Sequence, residues 1–311
     1  MNEQTLKRDM RKRICLLLMA MTAMTAWAQG DDFGLWTSIE VQKKINKKWS
    51  VSLEGEYRVQ DNLSSADRWT IGLSGAYKPL KWLKIDAGYK FIRFNNLAET
   101  KAKVTKFADE EETEIENIKI RTSDPYWNTR HRVFASLTFQ KKFGSIELSL
   151  REQWQYNHRL STTTKRAGTK YMLDEWDEET IPTEIDSVSS KDSHLLRSRL
   201  QAQYDKKGVA WKPFASIEAY HGGSHFGLQK MRYTVGLEYK ITKQHSVEAY
   251  YRYQHKSSSD HGEKLYGVVQ NLTDDSGSPV YQLPSANYDA SLFGNNDRSC
   301  HIIGVGYKFK F

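Results

Sequence analysis

The sequence predicts an all-β protein: a single antiparallel transmembrane β-barrel of about 10–12 strands, following an N-terminal signal peptide. Three observations carry this. Apolar residues recur at every second position through most of the chain after Phe33, the period of a strand. Many alternating segments run ten residues or more, where soluble strands average about 5–6 and about 9–11 tilted residues cross a bilayer. Full charges stand at strand centres on the polar register, among them Glu54, Glu56, Arg58, Arg197, Arg199 and Glu248. A sandwich core would make such charges costly unless paired, whereas a membrane barrel with its apolar face outward encloses them in a polar lumen.

Composition excludes other classes. Among 311 residues, 39% are hydrophobic and 12% aromatic, with 9 Trp, 17 Tyr and 12 Phe, so the chain is too aromatic for disorder. Its only long apolar run lies at the extreme N-terminus, which excludes a bundle of membrane helices.

At that N-terminus, Lys7, Arg8, Arg11, Lys12 and Arg13 precede the apolar stretch from Ile14, and Ala26-Trp27-Ala28 forms an A-x-A cleavage site. Residues 1–28 read as a cleaved signal peptide, and 29–311 as one barrel domain. Arg13-Ile14 stand before Cys15 with no small-residue lipobox, so a lipoprotein is not expected. Removing the leader leaves 41 basic residues against 36 acidic. The high overall charge is therefore partly the leader's, and nucleic acid is not an expected partner. Beyond the leader only Cys300 remains, so neither an internal disulfide nor a cysteine-based zinc site is expected.

Eleven strands follow in order. Leu35, Thr37, Ile39 and Val41 alternate with polar residues, then Trp49 to Val59, Trp69 to Tyr77 and Leu83 to Phe91. The pattern returns at Val133–Phe139, Ile146–Tyr156, Leu196–Tyr204 and Ala215–Ala219. It closes with Tyr233–Tyr239, Val247–Tyr253 and His301–Phe311. Trp49, Trp82 and Trp211 lie at one set of strand ends, and Trp69, Trp127, Trp154 and Tyr156 at the other, as two interfacial belts require. Trp36 and Trp82 fall on the polar register and interrupt the belts.

Connections sort by length. Short turns near 44–48, 79–81, 141–145, 206–210 and 241–245 alternate with long connections at 61–67, 95–126, 160–194, 221–229 and 256–297. Short periplasmic turns and long external loops are the expected asymmetry of an outer-membrane barrel. Eleven is odd, while bacterial single-chain barrels are usually even. Either the first and last strands close in parallel or the count is off by one. The last strand, Gly304-Val305-Gly306-Tyr307-Lys308-Phe309-Lys310-Phe311, resembles the C-terminal signal of the outer-membrane barrel assembly machinery. That machinery, outer-membrane lipid and lipopolysaccharide are the expected partners.

The opening Phe33-Gly34-Leu35-Trp36, the early Glu56/Arg58 pair, and the doublets Arg130-His131-Arg132 and Arg197-Ser198-Arg199 resemble the DUF2490 family of outer-membrane proteins from Bacteroidota-type bacteria. The resemblance covers about 30–311. It implies a barrel in the cell outer membrane and, the family being functionally uncharacterised, implies no catalytic or binding residue.

The polar register sets arginines 58, 130, 132, 151, 197, 199 and 252 against glutamates 54, 56, 147, 218, 238 and 248. Near-balanced charges predict a paired network that braces and largely fills the interior, with little steady conductance. The alternative is a narrow pore selecting solutes by its charge ring. Acidic clusters at Asp109–Glu112 with Glu114 and Glu116, and at Asp174–Glu175 with Asp177–Glu179, lack the D-x-[DN]-x-[DN]-G spacing of a calcium loop and read as solvated loop. Asp186-Ser187-Val188 matches a short acidic-hydroxyl glycosylation motif, and Asn62 and Asn271 stand in sequons that carry little force here. A lipid hydrolase would need Ser and His on the lipid-facing rim, as at His255/Ser257 or His158/Ser161, but no G-x-S-x-G elbow is present. The expectation is a non-enzymatic barrel without metal or cofactor. A surface role through the long loops is the remaining alternative, and the physiological role stays open.

Overall fold

Each of the eleven alternating segments forms one strand of a closed barrel in the computed structural model, which describes residues 32–107, 115–172, 177–222, 226–256 and 298–311. In chain order the strands are β1 (Asp32–Lys44), β2 (Trp49–Gln60), β3 (Ser65–Leu80), β4 (Leu83–Asn96), β5 (Glu99–Phe107), β6 (Ile115–Ser123), β7 (Tyr126–Phe143) and β8 (Ile146–Arg159). They continue with β9 (Thr162–Met172), β10 (Asp177–Val188), β11 (Lys191–Tyr204), β12 (Trp211–Gly222), β13 (Gly227–Lys240), β14 (His245–Lys256) and β15 (Arg298–Lys310). The barrel runs β1-β15-β14-β13-β12-β11-β8-β7-β4-β3-β2, and its strands are 12 to 18 residues long. Ten of its ladders are antiparallel. The eleventh, β1 with β15, is parallel over Asp32–Gln42, so the odd count is real and the barrel closes as parity demands. Lys308 reaches across this seam to Glu40 at 2.6 Å.

The wall is inside-out compared with a protein that folds around an oily core. Outward residues Ile39, Leu53, Ile71, Leu200 and Val235 are more than half exposed, while inward Thr70, Gln155, Glu218 and Thr234 are buried. Period two is what permits this, since successive side chains leave the pleat on opposite faces.

Tight turns occupy one end, and at the other end two connections expected to be long are short: four residues separate β2 from β3, turned through positive φ at Asp61, Asn62 and Leu63, and four separate β12 from β13. At the first end Gly144 and Gly208 take positive φ values of 59° and 84°, where a side chain is disfavoured. The Asn46 side-chain oxygen accepts from the backbone N–H groups of Lys48 and Trp49, both at 2.8 Å, and Thr242 accepts from those of Gln244 and His245. A belt of stacked rings surrounds this end: Trp49 on Tyr77, Trp211 on Tyr239, Trp82 on Phe139. Trp82 thus joins the belt, because the β3–β4 turn in which it sits resets the alternation. At the other end Trp69 packs on Phe91, Trp154 on His194, and Tyr89 hydrogen-bonds His131 at 2.6 Å.

The connections at 95–126 and 160–194 are more than loops. They hold the hairpins β5–β6 and β9–β10, which join through β6 and β9 into a four-stranded sheet of order β10-β9-β6-β5. Its polar face is tied by Arg121 to Glu184 and Asp186, both at 3.1 Å, and its other face buries Ala102, Ile118, Ile120 and Tyr171. Ile118-x-Ile120 is a short alternating run among the cations Lys119 and Arg121, which hide the period, and Thr162-Thr163-Thr164 carries no alternation of polarity at all. The expected signal peptide at 1–28 and most of the connection at 256–297 lie outside the described residues.

Candidate functional site

The inward registers of all eleven barrel strands line one cavity of about 2090 Å³. Its lining includes Lys47 and Lys48 at the turn end and Asn62, Leu97 and Ala98 at the other, so it follows the barrel's length. Bracing is present: Arg58 pairs with Glu56 at 2.8 Å, Lys90 with Glu54 at 2.6 Å, and Arg197 with Glu218. The bracing does not fill the interior.

Large rings stay out of the way because they lie on glycines. Around five neighbouring strands the cross-strand register reads Phe214–Gly236–Tyr250–Gly304–Trp36, aromatic and glycine in alternation. A methyl added at Gly304 would stand 1.9 Å from the Tyr250 ring, and one at Gly236 would meet both Phe214 and Tyr250 at 2.6 Å. Gly88 serves Phe134 in the same way on β4 and β7, at 2.7 Å. Each ring therefore lies flat along the wall over a neighbour without a side chain.

Charge is where the interior departs most from the expected balance. The lining holds 19 lysines and arginines against 10 aspartates and glutamates. Of the seven expected arginines, Arg58 and Arg197 take carboxylate partners, and Arg199 stands 3.9 Å from Glu218. Among the described residues no carboxylate lies within ion-pair distance of Arg130, Arg132, Arg151 or Arg252. Arg132 donates instead to Asn157 at 2.7 Å, and Arg252 to Thr234 at 2.9 Å. The expected balance left out the inward lysines and two arginines, Arg68 and Arg232.

Aromatic faces take the place of the missing carboxylates. Trp36, the tryptophan on the polar register, is 7% exposed inside the barrel. The guanidinium carbon of Arg58 stands 3.5 Å from its ring centroid, that of Arg252 4.8 Å, and that of Arg232 4.9 Å. Tyr220 receives Lys230 at 4.4 Å and Arg232 at 4.8 Å, and Tyr250 receives Arg252 at 4.6 Å. Below this cluster Glu218, 1% exposed, gathers Arg197, Arg199, Arg232 and the Tyr220 hydroxyl, which donates at 3.1 Å. The Nε–H groups of Arg58, Arg151, Arg197 and Arg199 are buried without an acceptor among protein atoms. Arg232 was missed because Tyr233 reads as the start of its strand, although extending the alternation one residue back places it inward.

Other candidates are dispersed. His158 bonds Asp192 at 2.7 Å rather than Ser161, and Asp192 also accepts from Tyr156 at 2.7 Å. His255 lies 3.4 Å from Ser299, while Ser257 lies outside the described residues. Asp109–Glu112, Glu114, Asp174, Glu175 and Asn271 also lie outside them; Glu116 pairs with Lys106, and Asp186 takes Arg121 and Arg166 within the upper sheet. Among the described residues no group of three His, Cys, Asp or Glu side chains has metal-binding geometry.

Fold and interior together define a closed β-barrel with an apolar exterior and a polar, cation-rich lumen. The family pattern of DUF2490, a protein family of unknown function, matches residues 33–264, and the chain belongs to that family. No curated protein matches the sequence. Among solved structures the chain is similar to the CymD monoaromatic hydrocarbon channel, with 10% identity and a TM-score of 0.32 over 74% of this chain and 85% of that one.

Proposed function

We propose that this protein is a non-enzymatic outer-membrane β-barrel whose lumen is a water-filled passage for small polar solutes. The observation that carries the reading is the continuous polar cavity of about 2090 Å³, lined at both rims, inside a wall whose outward face is apolar. Lipid suits that face: on β2, Trp49 and Tyr57 mark the two aromatic belts eight residues apart. That is about 26 Å along the strand at ~3.3 Å per residue, or about 20 Å vertically at a tilt near 40°. Outer-membrane hydrocarbon is thinner than average. Outer-membrane lipid and lipopolysaccharide are the partners of the wall.

The lumen favours conduction because its rings lie flat on glycines and its lining carries more cations than carboxylates, so that part of its positive charge is left facing the cavity. The test is planar-bilayer recording of the folded full-length protein. Steady, reproducible conductance steps are expected. Repeated insertion of folded protein with a silent membrane would refute the passage.

A further inference from the structure

We propose that the interior carries a built binding site for a small oxyanion, a phosphate or carboxylate group, at the cluster where Arg58, Arg232 and Arg252 converge on Trp36. The reading rests on the passage proposed above only for the route by which a solute arrives.

Three guanidinium groups from β2, β13 and β14 stand within 5 Å of one indole. Like charges so close repel, and among the described residues the three share only two nearby carboxylates, Glu56 and the more distant Glu218, the rest of their support coming from Trp36 and neutral acceptors. Arg252 uses Thr234 at 2.9 Å and has no carboxylate partner among the described residues; Arg232 uses Gln254 at 2.8 Å and the Tyr220 hydroxyl, with Glu218 3.8 Å away. Arg58 alone has a close counter-charge, Glu56, and its Nε–H remains buried without an acceptor. All three arginines line the cavity, and Arg252, bonded through Nε alone, keeps its terminal N–H edge without a protein acceptor among the described residues. Such an edge is the planar fork that matches carboxylate and phosphate oxygens two at a time. A bound oxyanion would relieve the mutual repulsion and occupy donors that protein atoms leave free. Rings of arginine and lysine also set the selectivity of anion and phosphate pores. A passive brace needs no excess of cations around one indole. A site for anions does.

The probe is inorganic phosphate, tested on the full-length barrel in detergent and in planar bilayers. In detergent, phosphate is expected to raise the unfolding temperature above that in chloride of equal ionic strength. Arg252→Gln should weaken this response about tenfold, Arg252→Lys should weaken it less because charge remains while the fork is lost, and the rim control Lys47→Gln should leave it unchanged. In bilayers under a salt gradient the reversal potential should report anion preference, phosphate should reduce chloride current, and Arg252→Gln should shift the potential toward zero. Conductance that prefers cations, or a phosphate response equal to that of chloride or indifferent to both Arg252 variants, would overturn the site while leaving the passage intact. Arg252-dependent phosphate stabilisation in a barrel that never conducts would support the site and overturn the passage. Neither response would overturn both.

Discussion

Replacing Glu218 by Gln tests whether the interior is braced through one carboxylate. Its side chain is 1% exposed, Arg197 bonds Oε1, Arg199 stands 3.9 Å from the same oxygen, Arg232 lies 3.8 Å from Oε2, and Tyr220 donates to Oε2 at 3.1 Å. At an effective dielectric near 20, each of the two longer contacts is a gross attraction of about 4 kcal/mol. Desolvation offsets much of this in the assembled network, at several kcal/mol per ion. Removing the carboxylate alone forfeits the attraction without returning the arginines to water, so the expected loss is about 3–5 kcal/mol. Urea titration of the barrel in detergent reads it as a lower midpoint at unchanged slope. Glu238→Gln is the control, since among the described residues the Glu238 carboxylate has one hydrogen bond, from the Gln203 amide at 3.5 Å, and no ion pair, and its loss should cost less than about 1 kcal/mol. Adding Arg197→Gln to Glu218→Gln should recover part of the loss, because it deletes one of the stranded cations. A loss below about 1 kcal/mol for Glu218→Gln, equal to the control, would show that the arginines are already solvated and the bracing argument mistaken.

Further outcomes follow from the wall and its rims. Leu53→Arg places a cation on the outward face near mid-strand and should cost about 2–4 kcal/mol in lipid, whereas Ser52→Arg on the inward register should cost far less; equal costs in vesicle refolding would reverse the assignment of faces. Gly304→Ala should destabilise by roughly 1–3 kcal/mol through its clash with the Tyr250 ring, and Tyr250→Ala in the same chain should remove most of that penalty, read by the same urea titration. Deleting residues 161–189 removes β9 and β10 but leaves Arg159 and Lys191 paired across β8 and β11, so the barrel should still assemble with its heat-dependent gel mobility intact. In the β11–β12 turn, hydrogen bonding from Lys212 holds the Asp205 carboxyl below its usual range, with Lys142 assisting. A depressed carboxylate stabilises above its unfolded value near 3.9 and loses that contribution as pH falls through the lower folded value. The turn is solvated, so the effect is at most about 1 kcal/mol. Wild type should therefore exceed Asp205→Asn in stability at pH 6, and the gap should narrow steadily as the pH is lowered below the unfolded value.

The barrel was legible because its signal is repetitive. Each of eleven strands carries its own alternation, and an error in one would not have changed the class. Even the parallel closure follows from an odd number of strands joined by hairpins. The upper sheet was not legible, because strands such as β5, with Lys101, Lys103 and Lys106 over nine residues, look like solvated loop. Their pairing is decided by the partner strand, which a local reading does not see. The interior was half legible. Period two identified which residues face inward, but not which of them meet, because strand tilt and stagger decide which levels converge. Glu147, Glu238 and Glu248 share a register with the arginines yet form no ion pair with them among the described contacts, while Glu218 takes three. Trp36 was the informative exception: a large aromatic ring out of phase with its strand marked the centre of the cluster.

The odd strand count and the arginine cluster are connected. In the parallel seam, β1 and β15 climb together, so Trp36 stands beside Gly304 and Ser38 beside Gly306. Gly304 has no side chain, and the Tyr250 ring from β14 lies over it toward Trp36. On the other flank Trp36 pairs directly with Arg58 of β2. The indole therefore receives Arg58 from one side and Arg252 and Arg232 from the strands beyond the seam. A larger residue at Gly304 would lift Tyr250 off the wall and place its ring between the indole and those two arginines. Parallel pairing is slightly weaker per residue than antiparallel, and here the Lys308–Glu40 clasp and the backbone bond from Lys44 N–H to the Phe311 carbonyl at 2.9 Å reinforce its turn end. The seam is thus the ladder where barrel closure and the charge cluster depend on the same residues, so changes that loosen one will disturb the other.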